Sequence, residues 1–500
     1  MLQKIKQFLA SLIKPTDQMA VIATFLFCAM VFLIPSVKIY FVVSFFYFIF
    51  LAFYYSFPRA VIYSVPIFLS LTVGQIYAFP VMSAADIGSI QYWEGRQLLF
   101  ILSPHLVILF AAGLLLPFYY FKSRIKLLTY EKILLILPFI FIFSSFWIAP
   151  FPFLSTIFSL RESLILIWFM YLLIATANLK VQRNKVLATL ILILLVTLSF
   201  ENFLVFAQLI KNSALGLMIE KAEIIPVFGL GSDEQGGGFR PFGWHPHANS
   251  LANEQLMMAL GALVFVNYLK NVFSKEANKI IYLLIIGILV FVTFISLSRS
   301  AFLAFIVSCG FYSFYYFRDK NIFSFIKKIN VEVKKINPWI KLIFLFASSV
   351  LIFKMSYRLF NSFSSFSPTG GVTTRISQTQ EAFGVLGKSP FLGFGSGMFI
   401  PVSFELFPEG IMKYFPEEIH NGFILFLVER GLVAGVFCLV FFGLLLKKVR
   451  KILFSPLALA MIYSSIAAGF IMMLFHPFIN LFSFNILAIL LVLHYEKTTS

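Results

Sequence analysis

Apolar runs of about 20 residues recur along almost the whole chain, and each is long enough to cross hydrocarbon as a helix. A spanning segment must satisfy its own backbone polar groups, which the α-helix does. Such segments read at about 19–35, 39–57, 60–81, 98–121, 128–149, 161–178, 186–206, 251–269, 280–297, 301–317, 340–355, 421–446, 456–475 and 478–495. The expected class is an all-α polytopic membrane protein of about 12–14 transmembrane helices. Composition agrees: 60% of the 500 residues are hydrophobic and 12% charged, against about half and about a quarter in soluble domains. A β-barrel is excluded, because barrel strands are short and alternate. Cys28, Cys309 and Cys438 all fall within apolar runs and read as small buried hydrophobes, with no disulfide or metal framework.

Basic residues set the expected orientation. The net charge of +18 suggests nucleic acid in a soluble protein; here it reports loop placement. Segments 122–126, 180–185, 270–279, 318–341 and 447–451 are rich in Lys and Arg. With the spans above, all fall on the side of the N-terminus, which the positive-inside rule makes cytoplasmic. The N-terminus itself reads as an uncleaved first span. The expected organisation is N-terminal helices over 1–206, an outer loop over 207–250, central helices over 251–355, a large outer loop over 356–420 and C-terminal helices over 421–500. The two long outer loops are rich in Gly, Pro and aromatic residues, as functional loops often are.

Three outer stretches carry polar groups that loop filler does not need. The first is "GGGFRPFGWHPHANSLANEQ" (236–255), with Arg240, His245, His247 and Asn249. An interfacial belt accounts for Trp244 but not for Arg240, since basic residues are disfavoured on this side. The second is "ISLSRSAF" (295–302), where Arg299 stands in a very short turn. A charge so near hydrocarbon faces protein or a water-filled cavity; the competing reading is contact with a lipid head group. The third runs from "TTRISQTQEAF" through "GFGSGMF" to "PEEIHNGF". It holds a short expected helix with Arg375, a Gly-rich turn, and His420 and Asn421 at the mouth of a span. The Gly-rich turn lacks the Lys-Ser/Thr of a P-loop, so a tight turn is the better reading. Arg375 reads either as a surface charge or as a substrate contact. Asn421 suits helix capping better than sugar binding. No HExxH occurs, and the histidine spacing supports no metal site.

These residue types suit a lipid pyrophosphate. Arginine forks bind its phosphates, and Arg240 and Arg299 are placed to stabilise charge on a departing pyrophosphate. A histidine of near-neutral pKa suits deprotonation of an attacking hydroxyl, and a helix start favours the neutral ring. That makes His420 the candidate general base.

"RPFGWHPHANSLA", "SLSRSAF", "SPFLGFGSGMF" and "HNGFILFLVERGLVAG", in this order, resemble the O-antigen ligase/O-antigen polymerase-like family of bacterial integral-membrane glycosyltransferases. The resemblance covers roughly 200–450. It implies a GT-C-like helical fold in the inner membrane with a multi-pass topology and an extracytoplasmic site. It also implies a glycan donor on undecaprenyl pyrophosphate, no cofactor, no metal and no nucleotide sugar. The acceptor is lipid A core, another glycan or a protein. By the resemblance, Arg240, Arg299 and His420 are catalytic and Asn249 follows the loop arginine. Arg375, Asn421, His245 and His247 complete the candidate substrate-binding set, and membrane lipids are the other expected partners. The competing class is a lipid-linked glycan flippase or polysaccharide transporter, which places charges near the midplane on broken helices and shows repeated halves. The discriminating expectation is spatial: Arg240, Arg299 and His420 share one cavity in an enzyme.

Overall fold

The computed structural model describes residues 16–70, 76–80, 99–123, 127, 129–176, 180–220, 241–245, 248–269, 271–296, 298–317, 372–413, 419–452 and 456–475, with isolated positions at 338, 349, 353, 488–490 and 492. The chain forms α1 (Gln18–Val31), α2 (Val37–Tyr54), α3 (Phe57–Ser70), α4 (Pro104–Ser123), α5 (Thr129–Ile148), α6 (Pro152–Thr176) and α7 (Lys180–Lys211). After these come α8 (Ala248–Tyr268), α9 (Lys275–Ile295), α10 (Arg299–Phe317), α11 (Val372–Lys388), α12 (Phe399–Leu406), α13 (Gly422–Ile452) and α14 (Pro456–Phe475). Ser36 and Ser274 cap α2 and α9 by accepting from the backbone N–H of Ile39 and Ala277. Pro66, Pro117 and Pro138 lie inside α3, α4 and α5, as spanning helices tolerate.

Among the described residues, nine helices are long and apolar enough to cross a membrane: α2, α4 to α7, α9, α10, α13 and α14. The chain is an all-α polytopic membrane protein. Apolar α1 and α3 are shorter than those nine. The segment expected at 251–269 is helix α8, whose first turns hold Asn249, Ser250, Asn253, Glu254 and Gln255 and make it more polar. The expected spans at 340–355 and 478–495 lie outside the described residues, apart from the isolated positions above. One local correction concerns the stretches expected as spans at 60–81 and 98–121. α3 stops at Ser70, and Ile76–Pro80 pairs antiparallel with Leu99–Leu102 as a two-stranded ribbon, so α4 begins only at Pro104.

Polar contacts fix which helix ends lie together. Asp17, before α1, takes Tyr63 Oη of α3 at 2.6 Å, Arg59 at 3.3 Å and Lys185 Nζ of α7 at 2.8 Å. The starts of α1, α3 and α7 therefore share one end of the bundle. Late in α7, Glu201 meets His245 just before α8, so α8 starts at the opposite end; α9 returns and α10 starts there too. Tyr315, near the end of α10, stacks on Tyr463, near the start of α14, with centroids 4.4 Å apart. The end of α10 thus lies beside the first half of α14, and Phe423, at the start of α13, stacks on Phe470, late in α14, at 5.5 Å, which sets the start of α13 at the far end of α14. The basic stretches 180–185, 275–279 and 447–451 gather at the other end.

Lipid tails are as apolar as the helices, so packing and buried polar contacts hold the bundle together. Trp168 Nε1 donates to the Ile62 carbonyl at 3.2 Å, and Tyr171 Oη to that of Ala112 at 2.9 Å. Phe53, Phe121 and Phe139 point outward, as a lipid-facing surface requires. Of the cysteines, Cys28 is buried as expected, but Cys309 is exposed and Cys438 half-buried.

Candidate functional site

The end of the bundle that holds the starts of α8, α10 and α13 carries the candidate residues. Asn421 caps α13: its Oδ1 accepts from the N–H of Phe423 and of Ile424, both at 3.1 Å. The side chain proposed for substrate contact is thus committed to its helix. Next to it stands His420, half-buried. Its pKa is pushed down to about 4, first by burial and then by the positive charge of Arg375. The imidazole is therefore neutral across the physiological range. Burial and a neighbouring cation thus act in the direction expected from the helix start. Arg375 lies in the first turn of α11, which includes the helix expected from "QTQEAF" and extends it on both sides.

Arg299 is the first residue of α10, after a hydroxyl-rich turn in which Ser298 and Ser300 Oγ are 3.1 Å apart. It shares a bundle end with His420. Arg240 and His247 lie outside the described residues, as does the 416–418 approach to His420. Asn249 is the second residue of α8 and half-buried.

His245 is placed differently from the expectation of a substrate contact. It is 1% exposed, with Nε2 2.7 Å from Glu201 Oε1 and Nδ1 3.5 Å from Glu254 Oε2. Burial alone lowers its pKa; the two carboxylates overcome this and raise it to about 9. His245 is therefore an imidazolium locked between α7 and α8. The preceding turn is held as firmly: Gln208 Oε1 accepts from Phe242 N–H at 3.0 Å and Gly243 N–H at 2.9 Å, and its Nε2 donates to the Gly243 carbonyl at 2.9 Å. Trp244, expected in an interfacial belt, is fully buried in this anchor. The chain just after Arg240 is thus fixed to the bundle.

Two residues that no outer loop reveals are Arg430 and Glu162. α13 is broken at Gly431, whose φ of 73° and ψ of 175° are not helical. The Gly-rich stretch 389–398 fills the break. Phe394 and Gly395 N–H donate to the Val428 and Glu429 carbonyls at 3.0 and 2.8 Å, and Leu432 and Val433 N–H donate to the Pro390 and Phe391 carbonyls at 2.8 and 3.1 Å. Backbone contact this close needs glycine: a Cβ on Gly393 lies 2.5 Å from the Glu429 carbonyl carbon. "GFGSGMF" is thus a docking pad for a broken helix, more than the plain turn expected. Beside the break, Arg430 reaches α5 and α6. It donates to Ser159 Oγ at 2.8 Å and Ser145 Oγ at 3.2 Å, pairs with Glu162, and lies 4.5 Å from the centre of the Phe141 ring. The available signal was a charge inside an apolar run, in "LVERGL" and "SLRESL".

Residues 282–439 match the family model for O-antigen ligase. Over that stretch the chain is O-antigen ligase-like, in line with the resemblance. The match runs from within α9 to within α13. It takes in Arg299, Arg375, His420 and Arg430, but neither Arg240 and His245 nor Glu162. It supports glycan transfer in O-antigen biosynthesis as the general activity. No curated protein matches the chain.

Proposed function

We propose that the chain transfers a glycan from an undecaprenyl-pyrophosphate carrier to an acceptor hydroxyl at the extracytoplasmic membrane face, by ligase or polymerase chemistry. The observation that carries this reading is the pairing of neutral His420 with Arg375 at the bundle end that also holds Arg299. An acceptor O–H gives its proton to His420 as its oxygen attacks the anomeric carbon. The bond from that carbon to the pyrophosphate oxygen breaks, and the electron pair leaves with the pyrophosphate. Arg299, Arg375 and Arg240 stabilise the charge that develops there. Attack opposite the leaving group inverts the anomeric carbon. Bound pyrophosphate also offsets the field of Arg375, which raises the basicity of His420 when the donor is in place. The basic stretches at the opposite end support, by the positive-inside rule, an extracytoplasmic position for this site.

The test is complementation of a strain lacking the gene, with His420→Ala, Arg240→Ala and Arg299→Ala at equal expression. Loss of surface polysaccharide with accumulated undecaprenyl-linked glycan supports transfer. Accumulated long chains identify a ligase, and accumulated single repeat units a polymerase. Full activity in all three variants refutes the reading. A flippase is the second reading, favoured by the break in α13 and the Arg430–Glu162 pair beside it, since transporters use broken helices at their substrate sites. A flippase moves the lipid-linked glycan without remaking a glycosidic bond, so product analysis separates the two.

A further inference from the structure

Glu162 sits ten residues after the start of α6 at Pro152, about 15 Å along the axis at 1.5 Å per residue. A carboxylate there must face protein or a polar, water-filled space. Its Oε2 is used twice, by Arg430 and by Ser396 Oγ at 3.2 Å. Oε1 takes part in neither contact, and the side chain is 39% exposed whereas that of Arg430 is 2% exposed. The pair is neutral overall and ringed by hydroxyls: Ser145 and Ser159 Oγ are 2.6 Å apart, and Ser159 donates to Ser396 at 3.0 Å. Ser155, fully buried beside Gly395, has no hydrogen-bond partner for its Oγ. Arg161, the residue before it, lies near enough to His105 to act on its charge. A neutral, hydroxyl-rich node with one oriented carboxylate oxygen does not suit a phosphate. It suits hydroxyl donors.

We propose that Glu162 forms a saccharide subsite, its Oε1 accepting hydroxyl hydrogens of the lipid-linked glycan while Arg430 and Ser396 hold the carboxylate in place. This rests on the glycan-transfer reading above and adds where the sugar is recognised, by residues away from His420. The Gly-rich pad then has two duties: it closes the break in α13, and its Ser396 orients the carboxylate.

The experiment uses the full-length protein in lipid nanodiscs and two probes: undecaprenyl pyrophosphate without sugar, and the same lipid carrying glycan isolated from the host membrane. The variants are Glu162→Gln and the double variant Glu162→Gln with Arg430→Met. The double variant removes both charges together, so no buried cation is left unpaired. The expected result is that both variants bind the glycan-bearing lipid about tenfold more weakly, the size of one hydrogen bond to a charged group. Affinity for the bare lipid stays unchanged. Equal weakening toward both lipids, or a lower melting temperature with intact discrimination, overturns the proposal and makes the node purely structural. If wild-type protein binds neither lipid, the donor reading fails and this one with it. If wild type binds both and the variants match it, this proposal alone fails.

Discussion

Gly431→Ala tests the broken helix directly. At φ 73° and ψ 175° the residue lies in a region essentially reserved for glycine, where another residue costs about 1–3 kcal/mol. The added Cβ would also overlap the Phe391 carbonyl and sit 2.5 Å from Leu392 N. Those are backbone atoms and cannot rotate aside. The pad must shift, which strains the bonds from Leu432 and Val433 N–H to Pro390 and Phe391. Two such bonds contribute about 1–3 kcal/mol together. The expected destabilisation is about 3–5 kcal/mol. Gly443→Ala is the control in the same helix: nothing lies within 4 Å of its added Cβ, so alanine there should be neutral or stabilise by about 0.5–1 kcal/mol. Thermal unfolding of purified protein in detergent, followed by tryptophan fluorescence, compares the two. Gly431→Ala should melt several degrees below wild type and Gly443→Ala should not. Equal melting temperatures refute the proposed break and its docking pad.

Further outcomes follow from the charges. His420→Ala should cut transfer about a hundredfold or more with normal folding, read as product per unit of purified protein. Arg375→Met removes one of the two causes that lower the His420 pKa from its ordinary value to about 4; the acid limb of the free-enzyme pH–rate profile should therefore move up toward 6.5, and an unmoved limb argues against the contact. Arg299→Ala should lower turnover about a hundredfold, with Arg299→Lys intermediate because lysine lacks the bidentate fork. His245 has a folded pKa raised to about 9, so its stabilising effect is full below about 6.5 and lost as pH rises through 9. Melting temperature should fall over that window. Glu254, raised to about 8 chiefly by burial, adds a fall of the same sign at lower pH. His245→Ala, which leaves Glu201 buried without its cation, should cost about 3–5 kcal/mol.

Much of the architecture is written locally in the chain, and the site is only half written there. Hydrophobic run length and Lys/Arg bias act segment by segment, so the helices and the gathering of basic stretches at one end are legible residue by residue. Asn421 is legible for the same reason, since a cap is a contact with the next two or three residues. Where the reading falls short, the cause is a partner far along the chain. His245 looks like a loop ligand until Glu201 and Glu254 close on it from two helices. Trp244 looks interfacial until the same anchor buries it. The Gly-rich stretch looks like a turn because nothing near it announces a break some thirty residues later, and the break is legible only as an arginine and a glycine inside an apolar run. A charge in such a run is costly unless paired, so Arg430 demanded a partner from the sequence onward. Run composition cannot supply its identity. Glu162 answers that demand from another helix, and it does so with one carboxylate oxygen, leaving the other out of both contacts. A pair that existed only to neutralise Arg430 would gain by burying both partners. Here one partner is buried and the other is not, and the proposed saccharide subsite rests on that asymmetry.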